Sequence, residues 1–289
     1  RGAGAGVRRV RTVLVVANQT VGGAPLIEKI REKAAGGDTR FALVVPRNRP
    51  RHGGVIYDEA VRHAAEVRLS LARQFMAQEG IEIEGEVGDE DPYNAAMDGI
   101  ALYKPDEVIV STLPRTASGW LRRDLVERIR EATGLEVEHV VVDLDKEGLP
   151  FDVTLVLANQ TVGEAGLLER LKAKASERPH MFIVVVPQPH GQGHAPGEAR
   201  ARLNDTLRAF REEGLVCAGM IGDPDPYTAA MNALDSFRVN DVVVSTLPAT
   251  RSGWMRAHLV ERLADTTGKP VDHVEATEAA APAEEATTA

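Results

Sequence analysis

The chain has 289 residues and a formal net charge of −9, with 43% hydrophobic residues and 4% aromatic ones. That length suffices for two domains with a core each, and the acidic balance argues against a general nucleic-acid binder, whose footprint is basic. No apolar run approaches the roughly 20 residues of a membrane-spanning helix, and the single cysteine, Cys217, excludes an internal disulfide and fits a reducing cytosol, so a cytoplasmic location is expected.

Residues 1–8 are expected to be a flexible N-terminus without the apolar core of a secretory signal. A strand is predicted over 10–17, a helix over 24–34, a strand over 41–45 and a long helix over 57–78. A strand over 81–87, a helix over 92–102 and a strand over 107–111 follow. A helix over 118–133, closed by Gly134, then leads to a fifth strand over 137–142. The second half repeats this rhythm, and 277–289, made of Ala, Glu, Thr and Pro, reads as a disordered acidic tail.

The two halves are copies of one unit. Ala17-Asn18-Gln19-Thr20-Val21-Gly22 recurs as Ala158-Asn159-Gln160-Thr161-Val162-Gly163. Gly88-Asp89-Glu90-Asp91-Pro92-Tyr93 recurs as Gly222-Asp223-Pro224-Asp225-Pro226-Tyr227, each followed by one residue and Ala-Ala-Met. Val110-Ser111-Thr112-Leu113-Pro114 returns as Val244-Ser245-Thr246-Leu247-Pro248, Ser118-Gly119-Trp120 as Ser252-Gly253-Trp254, and Leu125-Val126-Glu127-Arg128 as Leu259-Val260-Glu261-Arg262. The common order places a domain boundary near 146–152, with domains over 9–147 and 148–276.

Uninterrupted runs such as Val13-Leu14-Val15-Val16 suit strands covered on both faces. Strand–helix alternation implies parallel pairing with right-handed crossovers. The expected fold is therefore α/β, with two tandem doubly wound five-stranded parallel sheets in strand order 3-2-1-4-5. Ligands of such sheets bind beyond the carboxyl ends of the strands where the order reverses, here between the first and fourth strands. Those strands carry the repeated Ala-Asn-Gln-Thr and Ser-Thr-Leu-Pro loops.

This rhythm, the Gly-Asp element before the third helix and the polar loop after the fourth strand resemble the tandem form of the universal stress protein family. The resemblance implies a cytoplasmic stress-related role, intrachain pairing of the domains through their fifth strands, a possible further homodimer, and ATP or another nucleotide at the crevice in the nucleotide-binding branch. The sequence departs from that branch at its phosphate-holding positions. Asn18 and Asn159 stand where it has Asp. Ser111 and Pro114, with Ser245 and Pro248, stand where it has a glycine pair, and Asp124 and His258 where it has a later glycine. Side chains there obstruct the close approach of backbone amides to phosphate.

The candidate ligand-binding residues are Asn18, Gln19, Thr20, Ser111, Thr112, Ser118, Gly119 and Arg122 in the first half. In the second they are Asn159, Gln160, Thr161, Ser245, Thr246, Ser252, Gly253 and Arg256. Ser118 and Ser252 fit helix N-caps, where free amides favour an anion, with Arg122 and Arg256 in the first turns. Capping and packing alone would also account for these serines and for Trp120 and Trp254.

No catalytic or metal constellation recurs in both halves, so no metal is expected. His190 and His194 form a pair that the first half lacks, and zinc needs three or four ligands. Asp89 and Asp91, like Asp223 and Asp225, read first as cap and turn chemistry, and the basic loop from Arg47 to His52 as a solvated segment. Gly2-Ala3-Gly4-Ala5-Gly6 imitates a dinucleotide fingerprint but precedes the first strand instead of following it. The sequence points to a non-enzymatic protein that binds a nucleotide or small anionic ligand in the crevice between strands 1 and 4 of each domain, with no nucleic-acid or membrane partner. Its alternatives are a nucleotide-dependent enzyme of the same fold and a structural interaction module.

Overall fold

The computed structural model describes residues 10–47, 58–114, 124–158, 165–188, 196–247 and 258–275. The first repeat runs β1 (Arg11–Val16), α1 (Ala24–Ala35), β2 (Thr39–Pro46), α2 (Asp58–Gln78), β3 (Ile83–Gly88), α3 (Pro92–Tyr103), β4 (Glu107–Thr112), α4 (Leu125–Thr133) and β5 (Glu136–Val141). A short helix, α5 (Leu144–Glu147), follows. The second repeat runs β6 (Asp152–Leu157), α6 (Ala165–Glu177), β7 (His180–Pro187), α7 (Pro196–Glu212), β8 (Val216–Gly222), α8 (Pro226–Ser236), β9 (Asp241–Thr246), α9 (Leu259–Thr267) and β10 (Val271–Glu275).

The strands form two five-stranded sheets, ordered β3-β2-β1-β4-β5 and β10-β9-β6-β7-β8, and every recorded pairing is parallel. Both sheets therefore have the expected 3-2-1-4-5 order. The central strands are buried on both faces, as their unbroken apolar runs require: Val13 to Val16 and Leu155 to Leu157 are fully inaccessible. The described residues up to Asp152, with Val216–Met220 and Asp235–Arg238, make one compact unit, and the remaining described residues make the second.

The faithful Gly-Asp-x-Asp-Pro-Tyr-x-Ala-Ala segment is a packing and capping device. At Gly88 a Cβ would come within 2.6 Å of Ala95 Cβ and 2.8 Å of Val44 Cγ1. At Gly222 it would come within 2.7 Å of Ala229 Cβ and 2.8 Å of Val185 Cγ1. Both glycines thus let the third helix of a repeat press on its sheet. Asp91 caps α3 by accepting from Tyr93 N at 2.8 Å, and Asp225 accepts from Thr228 N at 2.9 Å. The tyrosine of each segment carries the arginine of the Leu-Val-Glu-Arg segment on its ring: Arg128 lies 3.9 Å from the Tyr93 centroid, and Arg262 4.2 Å from that of Tyr227.

A second repeated device ties the first helix of each repeat to its fourth and fifth strands. Lys33 pairs with Glu107 at 3.0 Å and Glu138 at 3.1 Å, and Lys29 with Glu138 at 2.9 Å. In the second repeat Lys174 pairs with Asp241 at 2.8 Å and Asp272 at 3.4 Å, and Arg170 with Asp272 at 2.5 Å. Burial disfavours the charged forms of Glu138 and Asp272, but their cationic partners outweigh it and hold both carboxyls below their ordinary values.

The helix expected over 118–133 is observed as α4, beginning at Leu125. Asp124 has φ 47° and ψ 42°, a left-handed conformation that no right-handed helix can run through. His258 does the same before α9, with φ 50° and ψ 42°. Ser118 and Ser252, read as helix N-caps, lie outside the described residues.

Candidate functional site

The loop after β1 closes toward β4. Thr20, buried, donates its hydroxyl to the Ser111 carbonyl at 3.2 Å. The Asn18 amide nitrogen donates to the carbonyl of Pro46 at the end of β2, and Asn18 itself is buried. Gln19 is exposed between them. Backbone bonds from Val21 N to Asn18 O and from Gly23 N to Thr20 O make this segment a pair of tight turns leading into α1.

Ser111 and Thr112 are neighbours on β4, so the pleat sends their side chains to opposite faces of the sheet. The register pairs Val16 with Val110, and two residues further along come Asn18 and Thr112. Val16 and Val110 belong to the core beneath α3 and α4, with Leu125, Ile129 and Val137. Thr112 lies on this face too: its hydroxyl meets His139 Nε2 on β5 at 2.9 Å. Thr246 makes the same contact with His273 on β10, at 2.8 Å. Partial burial of the His139 ring lowers its pKa below the ordinary 6.5, which favours the neutral imidazole near pH 7.

Three polar atoms of these loops are buried with no hydrogen-bond partner among the described residues: Asn18 Oδ1, Ser111 Oγ and Ser245 Oγ. Leaving a buried polar atom unpaired costs about 1–3 kcal/mol. The repeated Asp, Tyr and Arg residues are satisfied by capping and stacking. Buried atoms without such a partner also occur away from these loops, Glu107 Oε1 among them, so the three are one feature of the strand ends and not a mark unique to them.

Of the sequence candidates, Asn18, Gln19, Thr20, Ser111 and Thr112 are described together at one end of the first sheet, and Ser245 and Thr246 at the equivalent end of the second. Ser118, Gly119, Arg122, Asn159, Gln160, Thr161, Ser252, Gly253 and Arg256 lie outside the described residues, as do His190 and His194. Arg47 lies at the end of β2, where its Nε donates to Gly88 O at 3.3 Å and its Nη2 stands 3.8 Å from Asp89. His139 and His273 were not among the candidates. Their signal was present as Val137-Glu138-His139-Val140 and Val271-Asp272-His273-Val274, one copy in each fifth strand. Among the described residues no group of three or more His, Cys, Asp and Glu is arranged to hold a metal. No described helix is long and apolar enough to cross a membrane.

No model of a known protein family matches the chain, and no curated protein matches it. Its fold is similar to several solved structures. A universal stress protein from Archaeoglobus fulgidus is 15% identical, with 92% of this chain and 97% of that one covered and a TM-score of 0.36. A protein from Pseudomonas aeruginosa assigned as a universal stress protein is 17% identical, with coverages of 92% and 94% and a TM-score of 0.31. A functionally unknown protein from Pseudomonas aeruginosa is 18% identical, with coverages of 92% and 93% and a TM-score of 0.30.

Proposed function

We propose that the chain is a cytosolic, non-enzymatic tandem protein of the universal stress type, holding a small ligand at the reversal point of each sheet. The carrying observation is the buried Asn18 Oδ1 at the end of β1, without a partner among the described residues and beside the loop that Thr20 ties to β4. The strand order, which sets the first and fourth strands of each repeat side by side, supports the same reading. The glycines that hold phosphate in the nucleotide-binding branch are absent, so ATP held in that manner is not the ligand proposed.

Pairing of the domains through their fifth strands belongs to the proposal, because β5 and β10 are each an edge strand of their own sheet. A nucleotide-dependent enzyme is the competing reading. Mass spectrometry of protein denatured after purification should release a small molecule in stoichiometric amount, and incubation with ATP should yield no ADP, AMP or pyrophosphate above background. Steady ATP turnover that a Thr112→Val variant loses would establish the enzyme instead.

A further inference from the structure

We propose that the outer edge of β8 is a strand-pairing surface for a second copy of this chain, kept closed by the side chain of Gln74. β8 ends its sheet, so the backbone groups along one side of it face no neighbouring strand. Four described strands lie at sheet edges, and β3, β5 and β10 each carry two acidic residues. β8, reading Val216-Cys217-Ala218-Gly219-Met220-Ile221-Gly222, carries no charge. Charge on an edge discourages the addition of a further strand, and β8 lacks that protection.

Cover comes instead from α2, which lies with Val216–Met220 in the first compact unit. Gln74 Oε1 accepts from Cys217 N at 3.1 Å, and Gln74 Nε2 donates to Cys217 O at 2.8 Å. The carboxamide thus makes with Cys217 the two bonds that the opposite residue of an antiparallel strand would make. A further bond from Nε2 to Ser70 O, at 3.0 Å, holds the amide in this orientation. Arg68 ties α2 at a second point of the same unit, donating to Ser236 O with its guanidinium 4.9 Å from the Phe237 centroid.

The other repeat lacks this device. With Gly80 and Gly88 aligned on Gly214 and Gly222, Gln74 corresponds to Arg208 and Cys217 to Ile83. Arg208 is exposed and pairs with Asp205 on its own helix, while Glu84 and Glu86 guard β3 by charge. Gln74 therefore stands at the one edge that charge does not protect. The occupant that fits the released edge is a second β8. Two copies of Cys217 exchanging both backbone bonds make the centre of a two-fold antiparallel ladder, with Cα atoms about 5.5 Å apart, close enough for a disulfide.

The test compares the full chain with Gln74→Ala and Gln74→Leu by sedimentation velocity and by oxidation with diamide. Diamide takes up the two protons and two electrons released when two Cys217 thiols join, and the chain has no other cysteine. The parent chain should give no disulfide-linked dimer, because Cys217 is buried and its edge bonds are taken. Both variants should self-associate at least about tenfold more tightly than the parent, the effect of freeing the edge from a hydrogen bond, and should link on oxidation. Gln74→Leu keeps most of the bulk of glutamine without its bonds, and carries the test if the Ala variant does not fold. Adding Cys217→Ser to Gln74→Leu should keep the association and lose the covalent link. Unchanged association in both variants would overturn the proposal. So would a dimer that diamide does not link, or a parent chain that links as readily as the variants.

Discussion

Asp124 and His258 occupy the same backbone place in their respective repeats, and both lie in the left-handed region, at φ 47° and 50°. Each is followed by a leucine that anchors its helix in the core, Leu125 and Leu259. These are also the positions at which the universal stress pattern has its later glycine. Glycine, the residue that adopts this conformation without strain, stands at neither position. Asp124→Gly and His258→Gly are each expected to stabilise the chain by about 0.5 kcal/mol, because relief of the left-handed strain exceeds the added entropy of an unfolded glycine. Urea denaturation measures this, and a loss of stability in both variants would refute it.

Gly88 and Gly222 make the opposite demand. Neither has room for a methyl group, since the nearest atoms belong to the third helix of its repeat and to the strand beside it. Gly88→Ala and Gly222→Ala should each cost about 1–3 kcal/mol through overpacking. Similar losses in the two variants, read from thermal or chemical unfolding, are the expected result; an indifferent Gly222→Ala would show that α8 yields more easily than α3.

Glu107 is nearly inaccessible and pairs with both Lys33 and Arg11, the latter at 2.5 Å. Removing it strands the Lys33 ammonium, which is itself largely covered. Glu107→Ala should destabilise by about 3 kcal/mol, the lower end of the range for breaking a buried pair from one side. Replacing Lys33 and Glu107 together by Met and Leu should cost less than the single change. A double variant worse than Glu107→Ala would contradict this assignment.

The same network gives a pH dependence of defined sign. Glu138 and Asp272 have folded pKa values below their ordinary 4.5 and 3.8, so the unfolded chain binds protons first as pH falls. Their stabilisation is therefore complete well above pH 4.5 and lost as pH falls through the folded values. Glu138→Gln and Asp272→Asn should flatten the fall in stability below pH 4.5 while lowering the plateau near pH 7. Unfolding midpoints measured from pH 3 to 7 decide it, and an unchanged slope in the double variant would count against the network.

Much of this fold could be read from the chain because the repeat supplied two independent copies of each signal. Unbroken Val and Ile runs marked the buried strands, and helical spacing marked α1, α2 and α3 to within a few residues. The start of α4 was missed because Asp124 carries no mark of its left-handed conformation; a glycine there would have announced it. At the site, Asn18, Thr20 and Thr112 were legible as repeated polar residues at strand ends. His139 and His273 were not, because they sit among charged residues on edge strands whose alternation reads as ordinary solvent exposure. The placement of Ser111 and Thr112 on opposite faces follows from the pleat, yet became evident only once the register to β1 was known. Lys33 and Glu107 are far apart in sequence, and nothing local links them.

The ion pairs that fasten α1 and α6 to their sheets also bear on how a duplicated chain assembles. Between the copies Lys29 is exchanged for Arg170, Glu107 for Asp241 and Glu138 for Asp272, and every exchange keeps its sign. A nascent first helix thus meets the same pattern of charge whether it approaches β4 and β5 or β9 and β10. Charge cannot tell the correct partner from its twin, and the discrimination falls to side-chain length and to the apolar contacts of each core. Synthesis from the N-terminus helps, since α1 and its own strands emerge before the competing pair exists. During refolding from denaturant both pairs are present at once, and exchange of helices between the copies becomes the natural error of this chain.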